Sequence, residues 1–132
     1  VKVYVDTSVI LDYLQDRRDH RRPLGEFAFQ LFKRAASCEF KVVVSDWALE
    51  ELARYASNRP VDGFAGFLGE KLERMPFTYA DVSEAKALSR NWRDALHAVL
   101  ARKAGAAVLV TRNISHFAGF GNLVEPKEPE HV

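Results

Sequence analysis

Val1-Lys2-Val3-Tyr4-Val5-Asp6-Thr7-Ser8-Val9-Ile10 stands at the head of the sequence and decides the fold. Five residues dominated by valine read as a strand buried on both faces, which is the signature of a parallel sheet. The polar Asp6-Thr7-Ser8 then breaks the run. Val9, Ile10, Tyr13 and Leu14 continue at helical spacing, so a helix is expected from about Thr7.

The same alternation repeats down the chain. Leu24, Phe27, Ala28, Leu31, Phe32 and Ala35 recur every three or four positions and predict an amphipathic helix over 24–35. Lys41–Val44 reads as a second strand, with Ser45 as N-cap of a helix running through Tyr55. Pro60 and Gly63 interrupt that run, and Phe64, Phe67, Leu68, Leu72 and Met75 predict a further helix stopped by Pro76. Phe77–Tyr79 is a weak strand candidate. Asp81 and Glu84 have capping-box spacing, with Asp81 expected as the cap. Asp94–Ala104 is expected to be helical and to close on Gly105. A strand over Ala106–Val110 follows, then an edge strand over Asn122–Glu125 and a frayed tail over Pro126–Val132. Strands alternating with helices predict α/β architecture around a parallel sheet. No repeat, linker or low-complexity block divides the 132 residues, so one domain over 1–132 is expected.

Composition constrains function only loosely. A net charge of +1 gives no overall field for a polyanion, although basic rims around an acidic centre would produce the same total. The lone Cys38 rules out an intrachain disulfide. No apolar stretch approaches the ~20 residues that cross a bilayer, and no export signal is read at the N-terminus. A cytoplasmic protein with no membrane partner is expected.

Carboxylates recur at the ends of strands and the starts of helices, where ligands gather in open α/β sheets. Asp6 follows the first strand and either caps the next helix or faces a ligand, with Thr7 and Ser8 able to cap in its place. Glu51 falls at the edge of the buried side marked by Trp47, Ala48, Leu49 and Leu52, whereas Glu50 points outward. At that edge it is either a surface glutamate or the rim of a pocket. Asp94 suits the first turn of a helix on electrostatic grounds alone, and either Asn91 or Asp94 is the cap. Asn113, in Thr111-Arg112-Asn113, either serves a turn or presents a carbonyl oxygen to a metal or its water.

Four pieces taken together resemble the PIN domain family, and within it the VapC-type toxins. They are Val5-Asp6-Thr7-Ser8, then Ser45 with Glu51-Leu52, then Asp94-Ala95-Leu96-His97-Ala98, and last Val110-Thr111-Arg112-Asn113 with His116-Phe117. The resemblance covers essentially the whole chain. It implies a three-layer α/β/α sandwich with a central parallel sheet, and an endoribonuclease using magnesium or manganese. It carries Asp6, Glu51 and Asp94 onto an acidic metal-binding triad and Asn113 onto a fourth catalytic position that is often aspartate. A neutral Asn113 offsets less cationic charge, so one tightly held metal is implied, with a second joining only with substrate.

On that reading Asp6 and Asp94 are inner ligands, and Glu51 completes the shell or orients the attacking water. Asn113 holds a water or a second ion. Thr7, Ser8 and Thr111 carry hydroxyls near enough in sequence to bond ligand carboxylates or phosphate, and Arg112 either contacts a phosphate or is solvated. In-line attack would leave a 5′-phosphate and a 3′-hydroxyl. His116 is a candidate acid for the leaving group, Phe117 a core residue and His97 a hydrogen-bonded, semi-buried one. The basic run Arg17–Arg22 is expected to lie well away from the metal, because a ten-residue helix carries the chain ~15 Å. The resemblance also implies a homodimer and an antitoxin partner, and the phenylalanine-rich helices hint at an exposed face.

Other readings are a housekeeping RNA-processing nuclease with the same site, and a catalytically silent module that binds RNA or protein. A receiver-like domain with Asp6 as phosphoacceptor lacks a suitable lysine.

Overall fold

The computed structural model describes residues 1–18, 22–55 and 58–132, with the backbone alone for 58–62. Among these residues one parallel sheet contains β1 (Lys2–Val5), β2 (Lys41–Ser45), β3 (Leu72–Met75), β4 (Val108–Val110) and β5 (Glu125–Lys127). The strand order is β3-β2-β1-β4-β5, so the earliest strand is the central one. Parallel neighbours require crossovers. These are supplied by α1 (Thr7–Gln15) and α2 (Leu24–Ala36), by α3 (Asp46–Leu52) and α4 (Asn58–Leu68), and by α5 (Tyr79–Leu88) and α6 (Trp92–Lys103), while α7 (Ile114–Phe117) leads toward β5.

The pleat of each strand sorts its residues between two helical layers. Val3, Val5, Val42 and Val44 pack with Ile10, Leu31, Phe32 and Phe64 from α1, α2 and α4. Tyr4, Val43 and Leu109 point the other way, onto Leu96, Leu100 and Phe117 from α6 and α7. Apolar strands covered on both faces by helices give the α/β/α sandwich. Phe117 is 1% exposed and belongs to this core, as expected. Full burial of a side chain such as Phe32 is worth roughly 1.5–3 kcal/mol.

Several boundaries differ from the sequence expectations. The helix expected through Met75 ends at Leu68, and Leu72–Met75 is instead β3, paired with β2 from Val42↔Leu72 to Ser45↔Met75. Gly69, at φ +53°, turns the chain out of the helix. Phe77–Tyr79 forms no strand. Thr78 is the N-cap of α5: its hydroxyl accepts from the N–H of Asp81, and the Asp81 carboxylate accepts from the N–H of Thr78, so Asp81 is the third residue of the box and not its cap. α3 stops at Leu52, before Tyr55. The last strand is Glu125–Lys127 and not Asn122–Glu125, and Pro126 is tolerated there because β5 is an edge. The segment 126–132 is tied down: Pro129 is buried, and Arg34 Nη1 donates to the Val132 carbonyl at 2.7 Å.

The chain also folds back after α1. Asp16 adopts φ 47°, ψ 52°, and the N–H of Arg17 reaches the Asp12 carbonyl at 3.1 Å. Gly25 permits this turn, since a Cβ there would lie 2.7 Å from the Asp16 Cα. Arg18 and Arg22 are exposed, and residues 19–21 of the basic run lie outside the described residues.

Candidate metal centre

The sheet order reverses direction at β1: the chain first builds outward through β2 and β3, then returns to add β4 and β5 on the other side. Crossovers diverge at such a point and leave a crevice at the carboxyl ends of the strands. Asp6 ends β1 there, and Thr111-Arg112-Asn113 ends β4 beside it, with the Asp6 N–H donating to the Val110 carbonyl at 2.9 Å.

Asp6 occupies the N-cap position of α1, but its side chain makes no cap hydrogen bond. Its Oδ2 instead accepts from Thr111 Oγ1 at 2.7 Å and from Ser8 Oγ at 3.1 Å. Those two hydroxyls are themselves placed by backbone: the N–H of Arg112 donates to Ser8 Oγ and the N–H of Asn113 to Thr111 Oγ1. Asp6 is 5% exposed, so a buried carboxylate is held by donors on two sequence segments.

Glu51 reaches the same place from α3, which Ser45 caps by accepting from the N–H of Ala48. Glu51 Oε1 accepts from Thr7 Oγ1 at 2.9 Å and from His97 Nε2 at 2.5 Å. Burial opposes ionisation of Glu51, but the hydrogen bonds from His97 and Thr7 outweigh it and lower its pKa below the usual glutamate value. Donor atoms of Asp6, Glu51 and His97 lie within 4.8 Å of one another.

Asp94 enters from the first turn of α6, where Asn91 holds the cap position and donates Nδ2 to Asp94 Oδ2 at 2.5 Å. His116 Nδ1 stands 3.4 Å from the same oxygen. Burial raises the Asp94 pKa, and the charge of Asp6 raises it further, against the opposing influence of Asn91 and the two histidines. A carboxylate whose ionisation is disfavoured by burial and by a neighbouring carboxylate is the local condition a cation relieves. The oxygen donors of Asp6, Glu51 and Asp94 suit a hard divalent ion such as magnesium or manganese.

These side chains line a cleft of about 260 Å³ formed by Asp6, Thr7, Ser8, Leu11, Arg17, Glu51, Tyr55, Asp94 and Asn113. Asp94 and Asn113 share the cleft without joining the close group around Asp6, and Asn113 is exposed. Thr111 acts from beneath through Asp6. The side chain of Arg112 is not part of the lining and pairs with Asp12, Glu128 and Glu130.

Two participants escaped the sequence reading, and a third is more deeply buried than expected. Arg17 lines the cleft, contrary to the expectation that the basic run begins far from it, because the left-handed Asp16 reverses the chain. Tyr55 lines it with 64% of its surface exposed. His97, expected to be semi-buried, is 1% exposed and bridges Tyr4 to Glu51. A histidine three residues after Asp94, inside an alanine- and leucine-rich face, was the available signal. Burial lowers the pKa of His97, but the hydrogen bond to Glu51 and the charges of Asp6, Glu51 and Asp94 prevail and raise it above the ordinary histidine value.

The fold is shared with VapBC2 from Rickettsia felis bound to a DNA fragment from their promoter, at a TM-score of 0.67 and 16% identity over 97% of this chain and 98% of that one. It is shared also with FitAcB from Neisseria gonorrhoeae, at a TM-score of 0.65 and 16% identity over 98% and 99%. No curated protein matches the chain by sequence. The family model of the PIN domain matches residues 3–118, and by that match the chain belongs to the PIN domain family.

Proposed function

We propose that this chain is a magnesium- or manganese-dependent endoribonuclease and, within its family, the toxin of a VapBC-type pair. The observation that carries the enzymatic reading is the convergence of Asp6, Glu51 and Asp94, from β1, α3 and α6, on one cleft at the carboxyl ends of the strands. These three residues would hold the cation. When bound, it supplies a nucleophile at neutral pH and neutralises charge developing at phosphorus.

The chain's own groups prepare that site. Thr111 and Ser8 engage Oδ2 of Asp6, and Thr7 engages Glu51, so neither carboxylate is free to swing. Asn113 lines the cleft as a neutral oxygen donor. Arg17 gives the cleft a cation for a phosphate, and the exposed ring of Tyr55 offers a face for an unpaired base. Arg112 is assigned to the fold and not to substrate, since its guanidinium is engaged by three carboxylates.

The toxin assignment, its antitoxin partner and a homodimer are supported by the family, by the shared fold with VapBC2 and FitAcB, and by one surface. Tyr13, Phe29 and Phe67 stack in series at 6.4 and 6.2 Å, and Phe67 is 41% exposed. Such a patch suits a protein contact. No helix of the described residues is long and apolar enough to cross a membrane, and an RNA substrate is in keeping with a cytoplasmic activity.

The test is cleavage of single-stranded RNA with magnesium, with manganese and with chelator, comparing the parent with Asp6→Asn and Asp94→Asn. Activity that chelator removes, and that each substitution lowers at least about 100-fold, is expected, by analogy with loss of a metal or its outer partners. Cleavage indifferent to chelator, or variants as active as the parent, would refute the reading.

A further inference from the structure

Beneath the cleft, a chain of polar groups crosses a layer that is otherwise apolar. Tyr4 and Ser45 are 0% exposed and His97 1%, among Val43, Leu96, Leu109 and Phe117. Tyr4 Oη lies 2.6 Å from Ser45 Oγ and 2.6 Å from His97 Nδ1. His97 Nε2 then meets Glu51 Oε1 at 2.5 Å.

With a neutral imidazole the protons of this chain are accounted for without remainder. An ionised carboxylate only accepts, so Nε2–H donates to Glu51. In a neutral imidazole Nδ1 accepts from the Tyr4 hydroxyl, and the Tyr4 oxygen accepts from Ser45. Ser45 Oγ itself accepts from the N–H of Ala48 at 3.0 Å. In an imidazolium the bonds between Nδ1, Tyr4 and Ser45 reverse, which leaves the Ser45 hydroxyl proton without an acceptor in the chain, while Nε2–H still holds Glu51. Glu51 is thus gripped in both states, and Nε2 carries a proton where a metal ligand would need a lone pair.

Apolar side chains would fill this layer more cheaply, since buried polar groups are tolerated only when fully bonded. The chain begins in β1 and β2, the central strand and its neighbour, and ends on a long glutamate in a seven-residue helix. We infer that Tyr4, Ser45 and His97 are positioning residues, a buried strut that fixes the Glu51 carboxylate toward Asp6 and thereby sets cation affinity. The inference rests on the proposed function in taking Glu51 as a cation ligand.

The experiment combines two readouts on the full chain. In the metal-free protein, NMR should show a downfield, slowly exchanging imidazole N–H from His97. It should move upfield in Glu51→Gln and also in Tyr4→Phe, which removes one hydroxyl and keeps the ring. Calorimetry should show manganese binding weakened about 10- to 100-fold in His97→Leu, less in Tyr4→Phe, and partly restored in His97→Gln, whose amide can still donate to Glu51. In RNA cleavage, Tyr4→Phe should need more manganese than the parent for half-maximal rate and should approach the parent's kcat as manganese saturates.

A resonance that Tyr4→Phe leaves in place, or His97→Leu and His97→Gln binding manganese as the parent does, would overturn the strut. If His97→Leu does not fold, the Tyr4→Phe resonance and affinity decide. A parent that shows the Tyr4-dependent resonance but binds no manganese would overturn the nuclease reading and the effect on cation affinity, while the hold of the strut on Glu51 would stand.

Discussion

Arg112 is adjacent to Asn113 in sequence, yet its guanidinium belongs to a different network. Nε donates to Asp12 Oδ2 at 3.2 Å, and Nη1 to Glu128 at 3.0 Å and Glu130 at 2.8 Å. The side chain is 10% exposed, and Asp12 only 2%. Burial raises the Asp12 pKa, against the pull of Arg112 and the weaker one of Arg17. Removing one partner of a buried pair costs more than the pair itself contributes, because the other charge stays desolvated. Arg112→Ala should therefore lower the unfolding free energy by about 3 kcal/mol, measured from the urea midpoint. Arg112→Ala with Asp12→Asn should recover part of that loss, since the orphaned charge is gone. A double variant as unstable as the sum of the singles would contradict this account. The hydrogen bond from the Arg112 N–H to Ser8 uses backbone, so Asp6 keeps its support in either variant. Adjacency in sequence suggested a phosphate contact for Arg112. Its partners 16 and 18 residues onward, in a segment that reads as a tail, left no periodic signal that could be seen beforehand.

At the scale of elements, α5 shows what short-range chemistry decides. Thr78 and Asp81 exchange hydrogen bonds across the first turn, and Asp81 also accepts from Lys103 of α6. Burial opposes ionisation of Asp81, but Lys103 and the Thr78 N–H outweigh it, so its folded pKa lies below the ordinary aspartate value. With the folded value depressed, the unfolded chain binds the extra proton as pH falls. The stabilisation is complete above the ordinary aspartate range and is lost as pH descends through the folded pKa. Asp81→Asn should cost up to about 1 kcal/mol at neutral pH, as losing a partly exposed ion pair does, and parent and variant should converge in strongly acid solution. Melting curves across pH check this; a constant gap down to low pH would contradict it.

The same region explains what was legible in the sequence. β1, β2, β4 and the helices α1, α2 and α6 could be read because continuous valine runs and three-to-four spacing are local properties. β3 could not: Leu72-Glu73-Arg74-Met75 has no apolar run, its side chains are half-buried or exposed, and it is a strand only because β2 offers an edge. Asp6, Glu51 and Asp94 were legible as carboxylates at element ends. The strut through Tyr4 and His97 was not, because it depends on which face of β1 meets α6.

At the scale of the molecule, the parallel order β3-β2-β1-β4-β5 gathers carboxylates from distant segments without any element having to bend. The arrangement has an energetic consequence. Asp94 feels burial and the charge of Asp6, and both disfavour its ionised form. The metal-free fold therefore carries a repulsive centre, a common trade between stability and function. A cation that binds the native state alone stabilises it by mass action, about 2.7 kcal/mol at one hundred times its dissociation constant. For a chain of this size that corresponds to about 10 °C in melting temperature. Thermal unfolding should show such a rise on adding manganese to the parent and none with chelator present. Asp94→Asn should melt at or above the metal-free parent, since a half-buried charge is removed while Asn91 can still bond the new amide oxygen. It should also lose most of the response to manganese. The two effects together separate a functional carboxylate from a structural one. If Asp94 merely supported α6, its replacement would lower the melting temperature and leave the manganese response intact, and that pattern would remove Asp94 from the centre.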